Sequence, residues 1–260
     1  MERISSRHNP IVKRFRDLAR AGGDDSMLLE GAHLVEEALA SGTRLELVAF
    51  ADRAFDGAHA ELVGQAQRAG AKVVAVTDPV MAAMSPVRQP SGIVGIAERP
   101  TAPSDAVFSG DRQLVLMLSD VQDPGNVGAI VRAAEACGAT GVVAGDATAD
   151  PFGWKALRGA MGSTFRVPVA RQPLHESIER ARAAGLRIVA AVAREGTPLR
   201  ECDLSAPAAI LLGGEGPGLS QALLDAADER ITIPMRPPVD SLNVAIAAAL
   251  ILYEAQGQRR

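Results

Sequence analysis

"AAILLGGEGPGLSQALLDAA", residues 208–227, runs from an unbroken apolar segment through four glycines and a proline into a segment with helical spacing. A continuous apolar run without polar alternation reads as a strand buried on both faces, as in a parallel sheet covered by helices. Glycines at its carboxyl end let backbone amides and carbonyls approach a ligand closely, and open α/β sheets bind ligands at that end of their strands. Taken alone, the same residues also describe an ordinary tight turn. Glu215 is the residue that a turn does not explain, because a carboxylate among glycines beside an apolar strand needs hydrogen-bond donors. The spacing is neither G-x-G-x-x-G in the early position nor a P-loop, since no lysine followed by serine or threonine is present.

The same pattern extends in both directions from this stretch. "LVLML" (114–118), "TGVVAG" (140–145) and "RIVAAVA" (187–193) are further buried strands, with helices predicted over 126–137, 153–160, 174–184, 220–227 and 241–253. Strands alternating with helices give an α/β domain. Upstream, "RPTAPSDAVFSGDRQ" (99–113) reads as a linker of proline, glycine and small polar residues. Ahead of it, a helix starts after Asn9-Pro10, with the proline in its first turn, and a second spans 32–40. The strand "LELVAF", a helix near 58–69, and the strands "KVVAV" and "GIVGIA" follow. They compose a small α/β/α layer domain over 1–97, a linker over 98–112 and a larger domain over 113–260.

Bulk properties bound the function. At 260 residues and 47% apolar content, the chain can fill at least one sizeable core. The longest apolar run, "VAIAAALILY", is too short for a membrane span, so no membrane partner is expected. The opening twenty residues lack the apolar core of a secretory signal, which leaves the cytoplasm as the expected location. Cys137 and Cys202 suggest no disulfide framework, and four scattered histidines suggest no metal site. The net charge is −4, yet Arg3, Arg7, Lys13, Arg14, Arg16 and Arg20 crowd the first twenty residues, either as a solvated face or as a surface for phosphates.

Two further segments carry chemistry. In "SDVQDPGNVGAIVRAAEACG" (119–138), Asp123 to Asn126 form a turn that can cap the next helix. Arg132 sits there among alanine, isoleucine and valine, either snorkelling to water or holding a phosphate with its donor fork. In "ITIPMRPPVDSLNVAIAAALILYE" (231–254), Pro234 and Pro237-Pro238 stiffen a loop, Asp240 or Ser241 caps a helix starting near Leu242, and Asn243 enters its first turn. His175 and Cys137 offer no persuasive nucleophile–base pair, so the polar set suits positioning and electrostatics rather than covalent catalysis.

In this order, "NVGAIVRAA", "GGEGPGLS" and "IPM" followed by "SLNVAIAAAL" resemble the motifs of the SpoU (TrmH-like) branch of the SPOUT superfamily of RNA ribose methyltransferases. "ISSRHNPIVKRFRDL" and "LLEGAHLVEEAL" are similar to the ribosomal-protein-L30e-like substrate-binding domain often fused to it. The resemblance implies a carboxy-terminal SPOUT α/β domain with a deep trefoil knot, S-adenosylmethionine as cofactor, transfer of its methyl to a ribose 2′-hydroxyl of structured RNA, a homodimer, and no metal. By motif matching, Leu212, Gly213, Ile233, Met235, Ser241 and Leu242 surround the cofactor. Arg132, Asn126, Glu215, Ser241 and Asn243 form the catalytic set: the arginine holds phosphate and developing alkoxide, the asparagines orient it and the ribose, and the glutamate fixes loop donors or the arginine. Arg7, Asn9, Lys13, Arg14 and Arg16 are the expected RNA contacts. The extra domain favours ribosomal over transfer RNA. The alternatives are a transfer-RNA ribose methyltransferase and a noncatalytic protein that binds structured RNA through the same fold. Where family members often carry glycine and glutamate before Ser-Leu-Asn, this chain has "RPPVD", with Asp240 as the candidate acid.

Overall fold

The computed structural model describes residues 2–52, 59–100, 104–110, 112–145 and 147–259. Ala58 of the expected helix near 58–69, and 101–103 and 111 of the expected linker, lie outside them. The chain divides into two compact units, one of residues 1–101 with 152–165, the other of 102–151 with 166–260.

In the first unit, strands β1 (Glu2–Ile4), β2 (Ser26–Glu30), β3 (Leu45–Ala51), β4 (Lys72–Val76) and β5 (Ile93–Glu98) form a sheet in the order β1-β4-β3-β5-β2. β1, β4 and β3 are mutually parallel, and β5 runs antiparallel to both β3 and β2. Helices α1 (Pro10–Ala21), α2 (Ala32–Ala40), α3 (Ala60–Arg68) and α4 (Asp78–Met84) complete the amino-terminal segment. α1 is amphipathic by spacing: Val12 and Phe15 are buried against Met81 and Met84, while Lys13, Arg14 and Arg16 stay exposed. The helix expected over 153–160 forms as α6 (Trp154–Ala160) and packs in this unit. Its Trp154 seats against the α1 core and donates Nε1–H to the Ala19 carbonyl at 3.1 Å.

In the second unit, β6 (Leu114–Ser119), β7 (Gly141–Ala144), β8 (Val169–Arg171), β9 (Arg187–Val192), β10 (Thr197–Pro198), β11 (Ala208–Gly213) and β12 (Glu229–Thr232) make a seven-stranded sheet, all parallel, in the order β10-β12-β9-β11-β6-β7-β8. The predicted strands "LVLML" and "AAILL" are buried at every position, because helices cover the sheet. Helices α5 (Pro124–Ala136), α7 (Leu174–Ala183), α8 (Gln221–Asp225) and α9 (Val244–Gln258) complete the unit. Part of the expected linker, Ser104–Phe108, is a turn of 3-10 helix whose Val107 and Phe108 enter this core. Strands β1, β2, β8, β10 and β12 were not expected; each is five residues or fewer and is fixed by pairing more than by its own pattern.

From β6 the chain winds through β7 to β8 at one edge, then crosses to β9 on the far side of β11. The winding direction therefore reverses beside β6 and β11, and such reversals are where crevices open at the carboxyl ends of strands.

Candidate active site

A cavity of about 510 Å³ opens at that reversal. The carboxyl ends of β9 (Ala191, Val192) and β11 (Leu212, Gly213) contribute to it, together with the turn 214–219 and the loop carrying Ile233, Met235, Ser241 and Leu242. All six residues expected around the cofactor, Leu212, Gly213, Ile233, Met235, Ser241 and Leu242, line it, as do Glu215 and Asn243. Ala191, Val192, Ala193 and Ile251 were not singled out in the sequence, although the first three end a predicted strand, and strand ends in such sheets are the expected walls.

The glycines are there for space. A Cβ at Gly214 would stand 1.7 Å from the Asp120 carbonyl oxygen, and one at Gly213 would stand 2.6 Å from the Gly218 carbonyl carbon. Gly214 N–H donates to the Ser119 carbonyl at 2.7 Å, locking the turn against the end of β6. Gly216 and Gly218 adopt φ of 123° and 73°, which side chains rarely adopt. A cavity of this size, with aliphatic walls and backbone groups at a glycine cradle, fits an adenosine-bearing ligand.

At the cavity's edge three polar side chains meet. Asn126 Nδ2 donates to Glu215 Oε1 at 2.5 Å, and Asn243 Nδ2 donates to Asn126 Oδ1 at 3.1 Å and to Glu215 Oε1 at 3.4 Å. The carboxylate among glycines thus has its donors. Asp123 Oδ1 accepts from Gly125 N and caps α5, which places Asn126 in that helix's first turn. The cap of α9 corrects the expectation of Asp240 or Ser241. It is Asn243, whose Oδ1 accepts from Ala245 N at 2.9 Å and Ile246 N at 3.3 Å, and the helix begins at Val244. All three residues are competent caps, and here the extended backbone at position 243 selects the asparagine.

Arg132 lies on α5 exposed, with no hydrogen bond or ion pair among the described residues, and it does not line the cavity. Its charge is free for a phosphate. The expected RNA contacts divide similarly. Lys13 and Arg16 are exposed and unpaired among the described residues. Arg14 is ion-paired with Glu46, Arg7 donates Nε–H to the Pro79 carbonyl at 3.1 Å, and Asn9 caps α1 through Ile11 N. Both cysteine thiols are pushed up, Cys137 by burial and Cys202 to about 11 by burial and the neighbouring Glu229 carboxylate. Neither is therefore a ready nucleophile at neutral pH.

The SpoU rRNA Methylase family model matches residues 113–253. The chain belongs to that family. A model of the MRM3-like substrate binding domain matches residues 9–95. The chain is 32% identical to the 23S rRNA (guanosine(2553)-2′-O)-methyltransferase RlmP of Bacillus subtilis over 260 residues, covering 99% of this chain and 100% of that protein. The AdoMet-bound rRNA methyltransferase of Sinorhizobium meliloti superposes with a TM-score of 0.88 at 32% identity, covering 98% of this chain and 97% of that one. AviRb of Streptomyces viridochromogenes, solved in complex with AdoMet, superposes with a TM-score of 0.85 at 25% identity, covering 97% and 98%. This SpoU-family chain is an S-adenosylmethionine-dependent RNA 2′-O-ribose methyltransferase with an amino-terminal substrate-binding domain.

Proposed function

We propose that this SpoU-family chain methylates ribosomal RNA, as a homodimer in which Arg132 of one protomer serves the cavity of its partner. The preference for ribosomal RNA rests on the relatives that match end to end: the names of RlmP and of the Sinorhizobium meliloti protein both specify rRNA. The trans arrangement rests on one observation: the cavity gathers Glu215, Ser241 and Asn243 but not Arg132, which is unpaired among the described residues. α9 packs on α5, the helix that carries Arg132, and exposes Ile246, Leu250 and Tyr253 on one stripe, 54%, 43% and 70% accessible. Burying that stripe against a twofold copy brings α5 of each protomer to the boundary.

S-adenosylmethionine, when bound, supplies a methyl group activated on a sulfonium. Leu212, Ile233, Met235 and Leu242 would hold its adenosine among apolar walls, with the backbone of Gly213 and Gly214 close beside it. The Arg132 guanidinium offers donors and no acceptor, so it holds the RNA phosphate and the charge that develops on the ribose oxygen as the hydroxyl proton passes to solvent water. Asn126 and Asn243, tied together through Glu215, orient the ribose and hold the geometry of attack. Lys13 and Arg16 of α1 add phosphate contacts from the substrate-binding unit.

The test is transfer of labelled methyl to ribosomal RNA, with mass-spectrometric mapping of the product. One new 2′-O-methyl nucleotide in ribosomal RNA supports the reading. Modification of transfer RNA alone would contradict the substrate, and RNA binding without any transfer would favour the noncatalytic alternative.

A further inference from the structure

The loop 233–242 forms one wall of the cavity, yet it carries Pro234, Pro237 and Pro238 and is held by few bonds of its own. Among the described residues its internal tie is Val239 N–H to the Arg236 carbonyl at 3.2 Å. An ion pair between Asp240 and Arg194 ties it to the segment that follows β9. The placement of that pair follows from the sequence. Arg194 directly follows Ala193, which lines the cavity just after β9, and Asp240 directly precedes Ser241 and Leu242, which line it as well. The pair therefore ties together two segments that each border the cavity, 46 residues apart in the chain. Its side chains are 73% and 76% exposed, so the pair lies in solvent outside the cavity lining. Nearer the strand, Thr232 Oγ1 donates to the Ala193 carbonyl at 3.0 Å and fixes where the loop departs.

We propose that Arg194 and Asp240 form a latch that keeps the proline-rich loop closed over the cofactor cavity and slows release of the cofactor product. The proposal rests on the assignment of this cavity to S-adenosylmethionine. A proline-rich segment has little freedom to lose, so one ion pair near its junction with α9 is enough to bias it between a seated and a lifted position. An exposed pair shifts such an equilibrium by no more than about five-fold, and salt screens it. That strength suits a device that must open at every turnover.

The test measures dissociation of S-adenosylhomocysteine from the full-length protein by stopped flow, from about 0.05 to about 0.5 M salt. The unsubstituted protein is expected to release the ligand faster as salt rises. Arg194→Ala and Asp240→Asn should each release it about two- to five-fold faster at low salt and with a flattened salt dependence. The exchanged pair, Arg194→Asp with Asp240→Arg, should restore slow release. Unchanged melting of the ligand-free variants checks that their fold is intact. Rates equal to the unsubstituted protein in both single variants would overturn the latch while leaving the cavity assignment standing. Faster release from Arg194→Ala alone, with no recovery in the exchanged pair, would also overturn it, by showing that Arg194 holds the ligand directly. Failure of the unsubstituted protein to bind the ligand would overturn both.

Discussion

Asn243 uses the two ends of one amide for two purposes. Its oxygen caps α9, and its nitrogen donates to Asn126 and Glu215. The functions separate by substitution. Asn243→Asp keeps an acceptor for the cap and loses the donor, so it should melt within about 1 kcal/mol of the parent while methyl transfer falls by at least about tenfold. Asn243→Ala should lose both, with a stability cost of about 1 kcal/mol. Thermal melting and single-turnover transfer measure the two effects; an active aspartate variant would remove the amide donor from the mechanism. Gly214→Ala is the harsher change, since its methyl would overlap the Asp120 carbonyl. It should abolish cofactor binding in calorimetry or prevent folding altogether, and normal binding would show that the turn can shift. These residues were visible in the sequence because polar side chains among glycines or in an apolar helix demand partners. Which of Asp240, Ser241 and Asn243 caps the helix was not visible, because that choice belongs to the backbone conformation at the end of a loop.

At the scale of elements, two features make measurable claims. Glu30, at the end of β2, is a buried carboxylate whose pKa burial raises, against the hydrogen bond from Ser85, the charge of Arg158 and the Ser91 backbone amide. A raised carboxylate pKa gives stability that is complete below its ordinary value of 4.5 and is lost as pH rises through the folded-state value. Glu30→Gln should therefore melt higher than the parent at pH 7, on the order of 2 °C, with the gain vanishing toward pH 4. A gain that grows with acidification would contradict the sign. The second feature is the exposed stripe on α9. Leu250→Asp with Tyr253→Glu should convert a dimer into a monomer in sedimentation while the cavity still binds cofactor; a dimer that survives both changes would place the interface elsewhere. The long buried strands were legible because burial on both faces writes an unbroken apolar run. β12 was not, since "ERIT" between two other strands has the composition of a surface segment, and its existence depends on pairing with β9.

The molecule as a whole was legible as an alternation of strands and helices, but its division was not. α6 follows β7 in the chain and yet packs in the amino-terminal unit, through Trp154 and its bond to Ala19. Sequence proximity carries no record of such a crossing. Arg132 poses the same problem one level higher: it stands out in the sequence among apolar neighbours, whereas its separation from the cavity appears only in three dimensions. In the proposed dimer, a second protomer makes up that separation. Pairing one subunit carrying Arg132→Ala with one carrying Asn243→Asp, purified as a heterodimer through two different tags, tests this directly. Each variant alone should be nearly inactive. If the arginine acts across the boundary, the heterodimer holds one complete site, Arg132 from one protomer and Asn243 from its partner, and methyl transfer returns to about half the parent rate. A heterodimer as inactive as either variant alone would contradict a shared site.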